Sequence, residues 1–207
     1  MDMSNIVSYL MGQKAAFGSV AVGVVDNPVD AKVEDGETAS FTVRALGGNL
    51  SYQWQYSADG GETWADSAEE TATAATLSFT MAEAYDEYKF RCVVSGDGGT
   101  ATSTAATLYY YVPLAITTQP VDFEGAVGET ASFTVEATGT SLTYQWEWYN
   151  GTKWENTTVS GNKTDTITMT ITEARYAYRY RCKITDKFGD VIVSDVVRIL
   201  EPEDEGE

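Results

Sequence analysis

The residues with the chemistry to catalyse a reaction or to hold a metal are few in this sequence. The chain has 207 residues, no histidine and two cysteines, Cys92 and Cys182. Histidine is the commonest general base and the commonest metal ligand, so this sequence lacks the residue most often used in catalytic sites and in metal sites. The acidic side chains are spread over predicted turns and outward strand positions, and no pair is forced together. We therefore expect no catalytic residue, no metal site and no cofactor, and we interpret the chain as a non-enzyme.

The balance of charge limits the kinds of partner. The sequence contains 31 acidic and 13 basic residues, which gives a formal net charge of −18. Such a chain repels phosphate backbones and anionic lipid headgroups. No segment approaches the roughly 18 to 20 consecutive apolar residues that span a bilayer. We expect neither nucleic-acid binding nor insertion into a membrane.

One stretch fits a motif known from β-propeller sialidases and from unrelated β proteins. Residues 57–64 read Ser-Ala-Asp-Gly-Gly-Glu-Thr-Trp, which follows the Asp-box pattern Ser-x-Asp-x-Gly-x-Thr-Trp. The box stabilises a hairpin away from the active site, since its aspartate bonds turn amides while its tryptophan packs beneath. In the related stretch 148–154 the tryptophan is retained as Trp154 and the aspartate is lost. We favour the structural interpretation over a sugar-cleaving one.

A long internal repeat organises the chain. The octapeptide Gly-Glu-Thr-Ala-Ser-Phe-Thr-Val occurs at 36–43 and again, unchanged, at 128–135, and Tyr-Gln-Trp recurs from 52–54 to 144–146 at the same offset of 92. A period of this length corresponds to a whole domain. The predicted division is an N-terminal segment (1–20), a first domain (21–112), a second domain (113–200) and an acidic tail (201–207).

Apolar and polar residues alternate within each copy, which is typical of strands with one buried face. Glycine-rich turns separate the short alternating segments, and this combination predicts a sandwich of two sheets. The second copy repeats the inward positions of the first. In the first copy these are Ala39, Phe41 and Val43; Leu50, Tyr52, Trp54 and Tyr56; Leu77, Phe79 and Met81; and Tyr88, Phe90, Cys92 and Val94.

These inward residues resemble the signature of the immunoglobulin superfamily. That signature is a tryptophan on strand C followed by a strand F that reads Tyr-x-Cys. Here Trp54 precedes Phe90-x-Cys92, and the second copy has the same arrangement from Trp146 to Cys182. More narrowly, the chain looks like the immunoglobulin-like modules in surface proteins of Gram-positive gut bacteria and of their phages. The resemblance implies an all-β chain of two tandem immunoglobulin-like β-sandwiches.

The sequence departs from antibody domains at strand B, where phenylalanine replaces the cysteine that would pair with strand F. A disulfide closing a loop of about 50 residues contributes roughly 4 kcal/mol. Burial of a phenylalanine returns about 1.5 to 3 kcal/mol, so the ring largely fills the place of the bridge. We expect both thiols to be buried, inert and unlinked. The predicted core signature is Phe41, Trp54 and Cys92 in the first domain, and Phe133, Trp146 and Cys182 in the second.

Exposed aromatic rings are the usual stacking platforms for glycans. The candidates here are Trp64, Trp154 and Tyr149, whereas residues 109–111, a run of three tyrosines, are predicted to pack at the junction between domains. A polar face on strands C and F could also bind a ligand, although cross-strand pairing explains it equally well. Its members are Gln53, Gln55, Arg91, Gln145, Glu147 and Arg181.

The N-terminal segment is predicted to be a short helical anchor. Ile6, Val7, Leu10 and Met11 follow helical spacing, and nothing before them resembles a signal peptide. A lone helix of about 12 residues is marginal in water, so its apolar stripe needs a partner surface. We expect this segment to dock the chain onto a larger assembly.

A display module without a recognisable export signal favours a phage virion, whose proteins assemble in the cytoplasm and leave by lysis. We therefore predict an accessory virion protein, a decoration of the head or the tail, that attaches through its N-terminal segment. Its two domains would make weak multivalent contacts with cell-surface or mucus glycans. The alternative is a fragment of a Gram-positive cell-surface adhesin, or a spacer region built from immunoglobulin-like modules.

Overall fold

The computed structural model describes residues 20–203, which consist of short strands, two 3-10 helices and connecting turns. The chain divides into two compact units, and the boundary falls between Tyr111 and Val112. The predicted anchor residues Ile6, Val7, Leu10 and Met11 lie outside the described residues. Within residues 20–203, no helix has the length and apolar character needed to cross a bilayer.

From residue 20 to Tyr111, the described part of the first unit contains ten strands and one 3-10 helix. Alternation in the sequence becomes alternation in burial: β3 exposes its threonines and its serine and buries its alanine and phenylalanine. The elements are β1 (Gly23–Asp26), β2 (Ala31–Val33), β3 (Thr38–Thr42), β4 (Arg44–Leu46), β5 (Ser51–Ser57), β6 (Ala65–Asp66), β7 (Thr76–Thr80), the 3-10 helix (Glu83–Tyr85), β8 (Lys89–Gly96), β9 (Gly99–Thr102) and β10 (Ala106–Tyr110).

The second unit, as far as residue 203, repeats this order with ten further strands and a second 3-10 helix. Its third strand has the same sequence as β3 and the same pattern of burial. The elements are β11 (Ala115–Thr118), β12 (Phe123–Glu124), β13 (Thr130–Thr134), β14 (Glu136–Thr138), β15 (Thr143–Tyr149), β16 (Trp154–Asn156), β17 (Thr166–Thr170), the 3-10 helix (Glu173–Ala177), β18 (Arg179–Thr185), β19 (Val191–Val193) and β20 (Ile199–Leu200).

Two layers of strands enclose the core of each unit. In the first unit, β1–β4 and β3–β7 pairs form one layer, and the order β2-β10-β8-β5-β6, with β9 added to β8, forms the other. In the second unit, β11–β14 and β13–β17 pairs face the order β16-β15-β18-β19. β2 runs parallel to β10, and β12 runs parallel to β20, so the second strand of each domain lies beside its last strand.

The first core is built around one phenylalanine and one tryptophan. Phe41 is 1% exposed, and its ring centroid lies 4.9 Å from that of Phe90 and 6.4 Å from that of Trp54. Trp54 is fully buried, pairs in register with Cys92 and donates its indole N–H to the carbonyl oxygen of Ala74 at 3.0 Å. The ring from β3 therefore occupies the core beside a free thiol.

The second core has the same composition at its centre. Phe133 lies 6.5 Å from Trp146 and 5.5 Å from Tyr180, measured between ring centroids. Trp146 pairs in register with Cys182, and its indole N–H is bonded to the carbonyl oxygen of Thr164 at 3.0 Å. Because the N–H of each buried indole has a partner, neither tryptophan carries the penalty of an unpaired donor.

Most predicted inward residues are buried or packed against the core, but Tyr56 is not. Its side chain is 37% exposed, although the alternation of β5 predicts an inward position. Tyr56 stands near the end of β5 and lines an open cavity with Tyr88. Alternation assigns a residue to a face of a strand, but it does not say how far the opposite layer extends.

The two cysteines are free and buried. Burial raises the pKa of the Cys92 thiol to about 11 and that of the Cys182 thiol to about 12. Since the thiolate is the reactive form, we expect neither thiol of the native protein to react with Ellman's reagent, and both to react in denaturant. Dithiothreitol should leave the thermal unfolding midpoint unchanged. A fast native reaction of either thiol, or a lower midpoint after reduction, would contradict the disulfide-free core.

Candidate binding site

The loop between β5 and β6 is held by the residues of the Asp-box pattern. Ser57 Oγ donates to Asp59 Oδ1 at 2.6 Å and accepts the backbone N–H of Gly61 at 2.8 Å. The Asp59 carboxylate accepts the backbone N–H of Thr63 at 2.9 Å. The indole N–H of Trp64 donates to the carbonyl oxygen of Gly61 at 3.1 Å, so the ring is fixed under the turn. The motif serves the structural role that the sequence predicts.

An arginine from the neighbouring strand covers the tryptophan of this loop. The guanidinium carbon of Arg91, on β8, lies 4.1 Å from the centroid of the Trp64 ring. Arg91 Nε donates to Gln55 Oε1 at 2.9 Å, and Gln55 Nε2 donates to Asp66 Oδ1 at 2.8 Å. We call Trp64 and Arg91 the first stack. Among the described residues Arg91 has no carboxylate partner, so its positive charge is not neutralised by an ion pair.

The second domain repeats this arrangement at equivalent positions of its hairpin and of the neighbouring strand. The guanidinium carbon of Arg181, on β18, lies 4.1 Å from the centroid of the Trp154 ring. Arg181 Nε forms an ion pair with Glu147 Oε2 at 2.7 Å, and both side chains are largely shielded from solvent. Tyr149 packs beside Trp154 with ring centroids 5.4 Å apart. We call Trp154 and Arg181 the second stack.

The structure thus brings together residues that the sequence analysis named separately. The aromatic candidates Trp64 and Trp154 and the face residues Arg91 and Arg181 become two aromatic–arginine pairs, one per domain. All four side chains are half-buried. An indole under a planar guanidinium presents a flat apolar surface next to the Nη–H donors of the arginine, which suits a sugar ring with its hydroxyl or carboxylate groups. Tyr149 joins only the second stack.

The remaining residues of the predicted polar face hold the sheet together. Gln53 Nε2 donates to the carbonyl oxygens of Trp54 and Ser67 at 2.9 and 3.2 Å. Gln145 Nε2 donates to the carbonyl oxygen of Trp146 at 2.8 Å. These amides are occupied by backbone groups, so the residues able to meet a ligand on this face are those of the two stacks.

Sequence reasoning missed a pair of cavities, one in each domain. Each lies between the 3-10 helix and the segment that follows the second strand of the hairpin. The first has a volume of about 270 Å³ and the second about 370 Å³. The first aromatic cavity is lined by Tyr56, Ser67, Ala68, Glu69, Phe79, Tyr85, Tyr88 and Phe90. The second cavity is lined by Trp148, Glu155, Asn156, Thr157, Thr158, Val159, Arg175, Tyr178 and Tyr180.

The repeat itself was the signal that could have found these cavities. Glu-Ala-Tyr85 and Glu-Ala-Arg175 stand at an offset of 90, as do Tyr88 and Tyr178. Within residues 20–203, no group of three or more cysteine, aspartate or glutamate side chains is placed to hold a metal ion. The two cavities are concave features, and the stacks flat ones, on which a ligand site can be built.

Solved structures with similar folds are tandem immunoglobulin domains. A fragment of titin with three such domains superposes with a TM-score of 0.56 at 16% identity, over 89% of this chain and 67% of that one. Sidekick-1 domains 1–4 give a TM-score of 0.59 at 16% identity, over 92% and 51% of the two chains. Each domain has an immunoglobulin-like fold. The extracellular domains 3–5 of Drosophila OTK agree, with a TM-score of 0.54 at 18% identity, over 87% and 61% of the two chains.

A curated relative places similar modules inside a larger protein. The chain is 29% identical over 183 residues to endoglucanase C of Cellulomonas fimi, which covers 86% of this chain and 16% of the enzyme. The chain thus spans about a sixth of the length of that relative. No family model matches the sequence.

The Asp59 carboxylate makes the first domain sensitive to acid. Hydrogen bonds from Ser57 and Thr63 hold the pKa of Asp59 well below its usual range. A carboxyl whose pKa falls on folding stabilises the native state above its unfolded pKa of about 3.9, and that contribution is lost as the pH falls towards the folded value. We expect Asp59→Ala to lower the melting temperature of the first domain at pH 7. The difference from wild type should begin to narrow below about pH 4.

The second domain supplies the matched control for this pH dependence. Asn150 Oδ1 accepts the backbone N–H groups of Thr152 and Lys153 at 2.9 and 3.1 Å, and its amide does not titrate. Asn150→Ala should therefore lower the melting temperature of the second domain by the same amount at pH 7 and pH 3. A constant difference for the Asp59 variant over that range would show that the carboxylate is not the stabilising group.

Proposed function

We propose that this chain is a non-catalytic binding protein whose tandem immunoglobulin-like domains contact glycans through the first and second stacks. The observation that carries the proposal is the repetition of one arginine-covered tryptophan, at 4.1 Å, at equivalent positions of both domains. Each stack is small, so each contact is weak. Two stacks per chain and many chains per particle would convert weak contacts into useful avidity.

The setting that we propose is the surface of a phage virion. The N-terminal segment, residues 1–20, would attach the chain to the head or tail, and the two domains would project their stacks towards cell-surface or mucus glycans. Labelling of the chain on intact particles, with and without residues 1–20, tests this placement. Removal of the segment should leave both domains folded and should abolish attachment. Attachment that survives the truncation would contradict the anchor.

A glycan array tests the binding role separately from the setting. The full chain, clustered on beads to restore multivalency, is expected to bind a subset of mucin or cell-wall glycans, while incubation with the same glycans should release no cleaved sugar. Clustered bovine serum albumin of comparable negative charge is the control for charge alone. Turnover of any glycoside by the chain would contradict the non-catalytic role, and failure to bind any glycan would contradict the ligand class.

A second candidate setting is the surface of a bacterium, where the chain would be an adhesin fragment or a spacer between other domains. The similarity to part of endoglucanase C favours this candidate, because it places such modules in a protein named for acting on a polysaccharide. A pure spacer predicts that both stacks can be removed without loss of binding to any surface. The virion candidate predicts that removal of both stacks abolishes binding to surfaces that carry glycans.

A further inference from the structure

We propose that the first aromatic cavity binds a quaternary ammonium group, such as that of choline or trimethyllysine. This site is distinct from both stacks and goes beyond the glycan role. The cavity has a volume of about 270 Å³, which is just below the usual range for ligand pockets and fits a compact headgroup.

A continuous arc of aromatic rings forms the wall and floor of this cavity. The ring centroids of Tyr56 and Tyr88 are 6.0 Å apart, and those of Tyr88 and Tyr85 are 5.7 Å apart. Tyr85 meets Phe79 edge-on at 5.7 Å, and Phe79 lies 5.1 Å from Phe90. The two phenylalanines are buried and the three tyrosines are partly exposed. The faces of such rings are electron-rich and attract cations, most strongly when the cation is desolvated.

The charges around the cavity select a cation over an anion or a neutral sugar. Its one charged lining residue is the acidic Glu69, and no basic residue lines it. The net charge of −18 adds a long-range attraction for cations and a repulsion for anions. A lysine-like ammonium is strongly hydrated, which makes its burial costly. A methylated ammonium spreads its charge over apolar methyl groups, so its desolvation on entering a cavity lined by aromatic rings costs less free energy.

The equivalent cavity of the second domain is lined by a basic residue of the chain itself. Arg175 stands where the first domain has Tyr85, and it lines the second cavity together with Trp148 and Tyr178. Trp148 and Tyr178 keep the aromatic pair, with ring centroids 4.6 Å apart. Arg175 Nη1 donates to the carbonyl oxygen of Thr170 at 3.0 Å, so a positive charge stands at the edge of the second cavity, whereas a tyrosine lines the first.

Titration of the full chain with choline chloride, followed by tyrosine and phenylalanine NMR signals, tests the proposal. The matched control is 3,3-dimethylbutan-1-ol, which has the same shape without the charge, at equal ionic strength. Choline should bind the first domain with a dissociation constant on the order of 1 mM, and the alcohol at least about tenfold more weakly. Equal binding of the two compounds would show an apolar cavity without preference for a cation, and would overturn the proposal.

Two variants separate the site from general attraction to an acidic protein. Tyr85→Arg introduces the residue that the second domain tolerates at this position, so the fold should persist while choline binding falls at least about tenfold. The NMR signals of the buried core residues show whether the fold of the variant persists. Glu69→Gln should weaken binding about twofold to fivefold through the loss of one charge at high dielectric. Choline binding that survives Tyr85→Arg in a folded chain would overturn the proposal.

Further probes identify the source of the ammonium group. Phosphocholine carries an anion next to the headgroup, whereas a trimethyllysine peptide does not. Tighter binding of either one supports the ammonium site and assigns it to that class of molecule. Glycans are expected to shift the NMR signals of the two stacks, whereas choline is expected to shift those of Tyr85 and Tyr88. The glycan proposal and the choline proposal can therefore fail independently.

Discussion

Replacement of Trp54 by alanine is expected to lower the free energy of unfolding of the first domain by about 3–5 kcal/mol. The indole is fully buried between the two layers, and it is the donor to the carbonyl oxygen of Ala74. The variant loses the transfer free energy of the ring, leaves a cavity in a close-packed core and removes the hydrogen-bond partner of a carbonyl. Since a domain of this size is stabilised by only about 5–15 kcal/mol, the effect is a large fraction of the total.

Guanidinium unfolding followed by domain-resolved NMR signals measures this effect. Trp146→Ala should destabilise the second domain by a similar amount, because Trp146 is equally buried and is bonded to Thr164. Trp64→Ala is the matched control: its ring is half-buried, so its cost should be about 1–2 kcal/mol. Equal losses for Trp54→Ala and Trp64→Ala would contradict the assignment of Trp54 to the core.

Removal of one arginine from a stack is expected to cost the chain most of its avidity for a glycan surface. With Arg91→Ala or Arg181→Ala, only one stack remains complete. The chain then binds the surface through one stack and loses the second, linked binding event. Loss of that linkage lowers apparent affinity by about 10²- to 10⁴-fold, if both stacks can engage the same surface. The double variant should show no specific binding. Surface plasmon resonance on immobilised mucin glycans measures these changes.

The two single variants are also expected to differ in stability. Arg181 neutralises Glu147 at 2.7 Å in a partly buried position, so its removal leaves a carboxylate without its cation and costs about 1–3 kcal/mol. Arg91 is bonded to the neutral Gln55, so its removal should cost about 0.5–1.5 kcal/mol. Arg44→Ala is the control for both experiments, because Arg44 lies on β4, in the other layer. If Arg44→Ala lowered glycan binding as much as Arg91→Ala and Arg181→Ala do, the loss of a positive charge would explain all three effects and the stacks would not be the site.

The alternation of apolar residues, with glycine-rich turns between the segments, was enough to predict a sandwich of two sheets. Phe41, Trp54 and Cys92 stand at positions of period two on three separate strands, and the structure buries all three in one core. The exact repeat extended that reading to the second domain. Alternation does not show where the core ends. It predicted an inward position for Tyr56, and this prediction was wrong because Tyr56 is exposed.

The stacks needed information that no local pattern contains. Residues 64 and 91 are brought together by two pairings: that of β5 with β6, which fixes the hairpin, and that of β5 with β8, in which Gln55 faces Arg91. Spacing along the chain specifies neither register. The first aromatic cavity likewise depends on Tyr85, which stands on a 3-10 helix of three residues with no periodic signal of its own.

An NMR titration of the full chain with soluble mucin oligosaccharides tests the binding role most directly. The account predicts that the indole N–H signals of Trp64 and Trp154 and the Nε–H signals of Arg91 and Arg181 shift together in a saturable manner, while those of Trp54 and Trp146 stay in place. Shifts confined to other surfaces, or no shifts at concentrations that saturate beads coated with the chain, would contradict it.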